Sequence, residues 1–204
     1  MTNVNWLDFM VAVMVVVLAP GPGSLYAAKT AGARGTRSGR MAVLGIMLGD
    51  ICLIALSLFG VAAIFTTYPS FFRGVRMGGA GYLIFLGLRS VFTSSRADGE
   101  YSSGSLSPFW RALTITLFNP KAILFFMAFF PLFLKSVHGG IVVPYVAMTM
   151  VFMGVSALYL GMVILVAARV GFILQEKTLI RIILRQMSGY IFVGFGIKIA
   201  VASN

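Results

Sequence analysis

Two side chains with a full charge stand inside apolar stretches of this 204-residue chain. Asp50 lies ten residues into the apolar run 41–72, and Lys121 lies within the run 112–134. A charged group in the hydrocarbon of a bilayer costs roughly 2.5–3.5 kcal/mol on insertion scales, so it is usually paired or functional. Both residues are therefore candidates for binding or proton transfer.

Two interpretations of Asp50 remain open. A buried carboxyl can bind and release a proton, or it can pair with the ammonium group of a bound solute. The structural alternative is an ion pair with Lys121. We favour the functional interpretation, because Asp50 lies roughly 15 Å into its span at 1.5 Å per residue.

Lys121 follows Asn119 and Pro120. Asparagine is a good N-cap and proline is favoured at the first helical position, so this tripeptide predicts a helix that starts again inside the membrane. A helix start presents free N–H groups that attract a carboxylate, and Lys121 would add a full positive charge. The alternative is a proline kink with a lysine that extends to the cytoplasmic interface.

The first apolar run carries a matching interruption. It reads Ala19-Pro20-Gly21-Pro22-Gly23-Ser24, and two prolines and two glycines in succession do not continue an ordinary helix. We expect an unwound turn over 21–24 that exposes backbone groups, with the Ser24 hydroxyl able to bind a ligand. Such backbone is tolerated at membrane depth where it lines a cavity, and a pair of interrupted spans is typical of a transport site.

The apolar runs predict an all-α membrane protein with six spans. A span needs about 20 apolar residues and must be helical, because lipid offers backbone groups no partner. The approximate limits are 5–30, 41–65, 70–92, 110–134, 141–168 and 183–202. The polar linker 93–109 separates two halves, 1–92 and 110–204, of three spans each. A Gly-Tyr pattern that closes both 70–92 and 183–202 favours an inverted repeat, with chance similarity as the alternative.

Composition and charge limit the function classes. The chain is 59% hydrophobic and 10% charged, whereas soluble domains are about a quarter charged. Eleven Lys and Arg lie in the first, third and fifth connections against four on the other side, so both termini are expected outside the inner membrane. The net charge of +11 then indicates contact with anionic lipid, not nucleic acid. The single Cys52 excludes a carrier that needs a cysteine pair, and no metal, cofactor or catalytic pattern indicates an enzyme.

Four segments in this order resemble the lysine exporter (LysE/RhtB) family of bacterial amino-acid exporters, most closely its leucine exporter branch. They are APGPGSLY (19–26), LGD (48–50), GAGYLIFLGLR (79–89) and NPKAILFFMAFFPLF (119–133), so the similarity covers nearly the whole chain. The resemblance implies two inverted three-helix repeats and efflux by proton antiport. The site positions that it implies are Pro20, Gly21, Pro22, Asp50, Asn119, Pro120 and Lys121. The family usually has Asn where this chain has Gly23, so an amide that would contact substrate is missing.

The sequence thus predicts a secondary transporter that exports a neutral, leucine-like amino acid or a related small zwitterion in exchange for protons. Substrate would bind at 20–24 and 119–121, and Asp50 would carry the proton. The alternatives are an uncoupled small-solute channel and a membrane-embedded lipid-handling protein. Glycine-rich helix faces are compatible with a homodimer.

Overall fold

The computed structural model describes residues 4–67, 81, 84–85, 88, 106–134, 140–170 and 194. Its described part is helical apart from one isolated antiparallel pair, Val4 with Leu134. The helical stretches Pro22–Phe59 and Val142–Arg169 are long and apolar enough to cross a membrane. Apart from 81, 84–85, 88 and 194, the predicted spans 70–92 and 183–202 with their Gly-Tyr repeats lie outside the described residues, as does most of the linker. The six-span count and the inverted repeat therefore stay predictions.

The first predicted span is interrupted where the sequence places the break. Helix α1 covers Trp6–Leu18, Ala19 is extended (φ −68°, ψ 113°), and helix α2 begins at Pro22. Proline suits a helix start because it lacks the N–H that would have no partner there. The Leu25 N–H donates to the Gly21 carbonyl at 3.0 Å and closes the first turn of the new helix.

Helix α2 covers Pro22–Thr67 but reverses at Gly35, which has φ +78° and ψ 172°. A Cβ placed on Gly39 would lie 2.7 Å from the Ala31 Cβ, although eight residues of straight helix span about 12 Å. The chain therefore forms two packed arms, 22–34 and 36–67. The predicted span limits left 31–40 as the connection. In the structure the chain reverses at Gly35 alone, because glycine adopts this conformation without a Cβ clash.

The predicted span 110–134 is also interrupted. Helix α3 covers Pro108–Leu117, and helix α4 covers Pro120–Leu124. A π-helical segment, Phe125–Phe129, and a 3-10 segment, Phe130–Phe133, follow, and helix α5 covers Val142–Val170. The sequence predicted the break at Asn119 but not the change of helix type. Pro131 accounts for that change, because it has no N–H for the Met127 carbonyl and its ring crowds that carbonyl.

Glycines bring α2 and α3 into close contact. A Cβ on Gly45 would lie 2.2 Å from the Phe109 carbonyl oxygen, and one on Gly49 would lie 2.8 Å from Thr116 Cβ and Cγ2. Glycines four residues apart on one helix face allow this approach between membrane helices. The contact fixes the position of α3 beside the α2 segment that carries Asp50.

Phenylalanines fill the space between α1, the π-helical segment and α5. Phe9 and Phe130 are fully buried, with ring centroids 5.5 Å apart and planes at 85°, an edge-to-face contact. The Asn5 N–H donates to the Phe133 carbonyl at 2.8 Å. The start of the first predicted span therefore lies beside the end of the fourth.

Candidate functional site

A cavity of about 80 Å³ lies where the two interrupted segments meet. Its wall is formed by both interruptions, by α2 and by α5. The lining residues are Val16, Val17, Ala19, Gly21, Gly23, Ser24, Ile46, Asp50, Thr116, Asn119, Lys121, Ala122, Phe125, Phe126, Phe152, Ser156, Tyr159 and Leu160. Asp50 and Lys121, the two charged residues that the sequence singled out, are both among them.

The ammonium group of Lys121 joins the two interruptions. Lys121 Nζ donates to the Ala19 carbonyl at 2.6 Å. In an unbroken helix that carbonyl would accept from the N–H four residues later, at Gly23. A Cβ on Gly21 would lie 3.7 Å from Lys121 Nζ and 3.8 Å from Asn119 Nδ2. Lys121 thus faces the first interruption.

Asn119 caps helix α4 as the sequence predicted. Its Oδ1 accepts from the Lys121 N–H at 3.1 Å, and its carbonyl accepts from the Ile123 N–H at 3.0 Å. These bonds fix the amide so that its Nδ2 faces the first interruption. One of the N–H groups that the sequence offered to a ligand is therefore already bonded within the protein.

Asp50 is 6% exposed and lines the cavity. It interacts electrostatically with Lys121, as the ion-pair interpretation requires. Within the described ranges, however, no hydrogen bond reaches its carboxyl group. A buried carboxyl group that protein donors leave unsaturated is suited to bind a proton or a cationic group.

The first interruption is shaped by Ser24. Its hydroxyl accepts from the Gly21 N–H at 3.0 Å and donates to the Gly21 carbonyl at 3.1 Å. Ser24 therefore holds the turn as well as lining the cavity. Of the predicted site residues, Gly21, Gly23, Ser24, Asp50, Asn119 and Lys121 line the cavity. Pro20, Pro22 and Pro120 do not, and they act by interrupting or starting the helices.

Sequence reasoning missed several lining residues. Thr116 was not singled out, and the apolar wall from α1, Ile46 and the phenylalanines of 125–126 was not foreseen. The close Gly45–Gly49 pair was the available signal, because it marks the face of α2 that another helix approaches. Sequence reasoning also did not assign Ser156 and Tyr159 of α5 to the site, although both line the cavity.

A second polar group between helices lies behind the cavity wall. Tyr145 Oη donates to Ser57 Oγ at 2.7 Å, and Ser57 Oγ in turn donates to the Phe126 carbonyl. Ser57 and Tyr145 are both about 1% exposed. This chain of hydrogen bonds ties α2 and α5 to the π-helical segment.

Comparison with known proteins identifies the family of this chain. The family model described as LysE type translocator matches residues 14–203. This chain belongs to that family. It is therefore a membrane transporter and not an enzyme. No solved structure matches it.

Several relatives align over nearly their whole length. The leucine efflux protein of Salmonella typhimurium is 34% identical over 98% of this chain and 96% of its own. The leucine efflux protein of Klebsiella pneumoniae is 31% identical with the same coverage. A protein of Pseudomonas aeruginosa named only as an uncharacterized membrane protein is 34% identical, again with that coverage.

Proposed function

We propose that the protein exports a neutral, leucine-like amino acid across the bacterial inner membrane in exchange for protons. The observation that carries the proposal is the meeting of two interrupted helices at one cavity lined by a carboxylate and an ammonium group. An amino-acid zwitterion presents the complementary pair of charges. The two named leucine efflux relatives support the choice of substrate class.

The polar part of the cavity suits the two charged ends of a zwitterion. Lys121 would attract the carboxylate between the start of α2 and the start of α4, where Pro22 and Pro120 stand. The backbone of 21–24 would complete this end of the site. Asp50, which lacks a hydrogen bond from the described residues, would receive the ammonium group or a proton in turn.

The remainder of the wall suits an aliphatic side chain. Val16, Val17 and Ile46 line one part, and Phe125 and Phe152 line another. Apolar lining with few placed polar groups is typical of sites that select small molecules by side-chain shape. A leucine-like side chain would bury against these groups without leaving a polar atom unpaired.

Proton coupling would arise from competition at Asp50. When Asp50 is protonated, its carboxyl group is neutral and would not attract the substrate ammonium group. Proton and substrate would therefore bind alternately. Rocking of the two predicted halves about the cavity would expose it first to the cytoplasm and then to the outside. The expected orientation has both termini outside, with the basic connections against anionic lipid.

The test is Asp50→Asn in proteoliposomes, with Asp8→Asn as the matched control. Asp8 lies in the first turn of α1, accepts from Asn5 Nδ2 at 2.5 Å and does not line the cavity. Asp50→Asn should abolish efflux driven by a pH gradient while the protein stays folded, and Asp8→Asn should retain it. Unchanged efflux in Asp50→Asn would reject the proton-carrying role.

A counterflow screen of the twenty amino acids would identify the substrate, with leucine expected among the best. The same vesicles measured with and without a pH gradient would separate antiport from an uncoupled channel. Equal flux under both conditions would contradict proton coupling.

A further inference from the structure

Thr116 presents a buried hydroxyl group that has no hydrogen-bond partner among the residues the structure describes. The residue is 3% exposed and lines the cavity, and no described group hydrogen-bonds to its Oγ1. Two other threonines, Thr114 and Thr149, instead donate to the carbonyl four residues earlier, at 2.9 and 2.8 Å. A buried hydroxyl without a hydrogen bond is unfavourable, so a group in the cavity is expected to satisfy it.

The orientation of Thr116 follows from two glycines on α2. Its Cβ and Cγ2 lie 2.8 Å from the position of a Cβ on Gly49, so the methyl group fills the notch that this glycine leaves. Its Oγ1 lies 3.6 Å from the position of a Cβ on Gly23. The hydroxyl group is therefore turned toward the first turn of α2, where Gly23 leaves open space beside Ile46.

The backbone of that first turn has a free donor. In an unbroken helix the Gly23 N–H would donate to the Ala19 carbonyl, but that oxygen accepts from Lys121 Nζ. Two other donors of this turn are used: the Gly21 N–H bonds to Ser24 Oγ, and the Leu25 N–H bonds to the Gly21 carbonyl. Gly23 makes no such backbone bond within 4–67, 106–134 or 140–170.

We propose that the Thr116 hydroxyl and the Gly23 N–H, together with the Lys121 ammonium group, bind the carboxylate of the transported amino acid. This inference rests on the proposed function and names the place of the carboxylate, at the start of α2. The start of α4 is less suitable for the carboxylate, because the Lys121 N–H at that helix start already donates to Asn119 Oδ1. Two neutral donors beside one cation suit the two oxygens of a carboxylate.

The first test compares Thr116→Val with Thr116→Ser by calorimetry on the purified full-length protein. Valine keeps the methyl group in the Gly49 notch and removes the hydroxyl, whereas serine keeps the hydroxyl. The twenty amino acids are tested first. The one that binds most tightly is then compared with the amine that remains when its carboxylate is removed. Thr114→Val is the matched control, since Thr114 is exposed on the same helix and does not line the cavity.

Thr116→Val should weaken amino-acid binding about 10- to 100-fold, the usual effect of losing one hydrogen bond to a charged group. Binding of the amine should be unchanged, Thr116→Ser should stay within a few-fold of wild type, and Thr114→Val should match wild type. Equal weakening of amino acid and amine would overturn the carboxylate assignment, as would unchanged amino-acid binding.

Gly23→Ala provides a second test. Its methyl group would meet Ile46 and Thr116 Oγ1 at 3.5 and 3.6 Å, ordinary contacts that the fold accepts, while taking the space assigned to the carboxylate. We expect an unchanged melting temperature and amino-acid binding weakened more than 10-fold. Wild-type affinity in Gly23→Ala would contradict the placement.

The two proposals fail in different ways. If the wild type binds none of the twenty amino acids, the proposed function falls and this inference falls with it. If the wild type binds and exports an amino acid but Thr116→Val does so equally well, the carboxylate assignment alone is wrong.

Discussion

Replacing Gly45 with alanine tests whether the contact between α2 and α3 builds the site. The new Cβ would lie 2.2 Å from the Phe109 carbonyl oxygen, and ordinary contact begins near 3.4 Å, so α3 must retreat by about 1 Å. The obstacle is backbone, which has no rotamer to change. The same substitution at Gly49 meets Thr116 at 2.8 Å and requires roughly half that displacement.

The expected loss of stability follows from two opposing effects. Overpacking a tight contact costs about 1–3 kcal/mol, and the displacement at Gly45 puts it near the top of that range. Alanine in place of glycine gains about 1 kcal/mol of helix propensity. The net loss is about 2 kcal/mol for Gly45→Ala and less for Gly49→Ala. For a chain of this size, that corresponds to a melting temperature lower by roughly 4–8 °C.

Thermal unfolding in one detergent, followed by circular dichroism, measures the difference. Gly161→Ala on α5 is the control, because no described atom lies within 4 Å of its new methyl group. The expected order of melting temperatures is Gly161→Ala above wild type, then Gly49→Ala, then Gly45→Ala. Since α3 carries Thr116, efflux should fall in parallel. A Gly45→Ala protein that melts with or above Gly161→Ala would refute the packing argument.

Two further substitutions test other parts of the fold. Gly35→Ala should lower the free energy of unfolding by about 1–3 kcal/mol, because only glycine readily adopts φ +78° with ψ 172°. Gly161→Ala again serves as the control in the same unfolding assay. Ser57→Ala should destabilise more than Tyr145→Phe, by up to about 1.7 kcal/mol, since it leaves the buried Tyr145 hydroxyl without its acceptor and frees the Phe126 carbonyl. Equal losses in Ser57→Ala and Tyr145→Phe would show that the chain of hydrogen bonds does not act as described.

The sequence predicted those parts of the site that depend on local chemistry. Pro20 and Pro120 interrupt or start helices through their own ring geometry, so both breaks were readable from a few neighbouring residues. Asp50 and Lys121 were readable because charge is rare in apolar runs. That both breaks and both charges meet at one cavity was a hypothesis. It depends on the bond from Lys121 to Ala19, which joins residues 102 positions apart.

What the sequence did not predict depends on the register between helices. Thr116 looks like any threonine in a membrane helix until Gly49 is known to receive its methyl group. The reversal at Gly35 was equally hidden, because the chain has 23 glycines and only the packing of Ala31 on Gly39 selects this one. Local patterns give the interruptions, whereas contacts across the bundle decide which polar groups face the cavity.

Each helix break in an apolar medium frees backbone groups that must find other partners. Several find them within the protein: the Ala19 carbonyl takes the Lys121 ammonium group, and the Gly21 N–H takes the Ser24 hydroxyl. The Gly23 N–H finds no such partner within the described part of the chain. A bound carboxylate would satisfy it, so substrate would stabilise the conformation in which both breaks face one cavity. Binding would then draw the two interrupted segments together, and release would require them to part, which is the coupling that an alternating-access exporter needs.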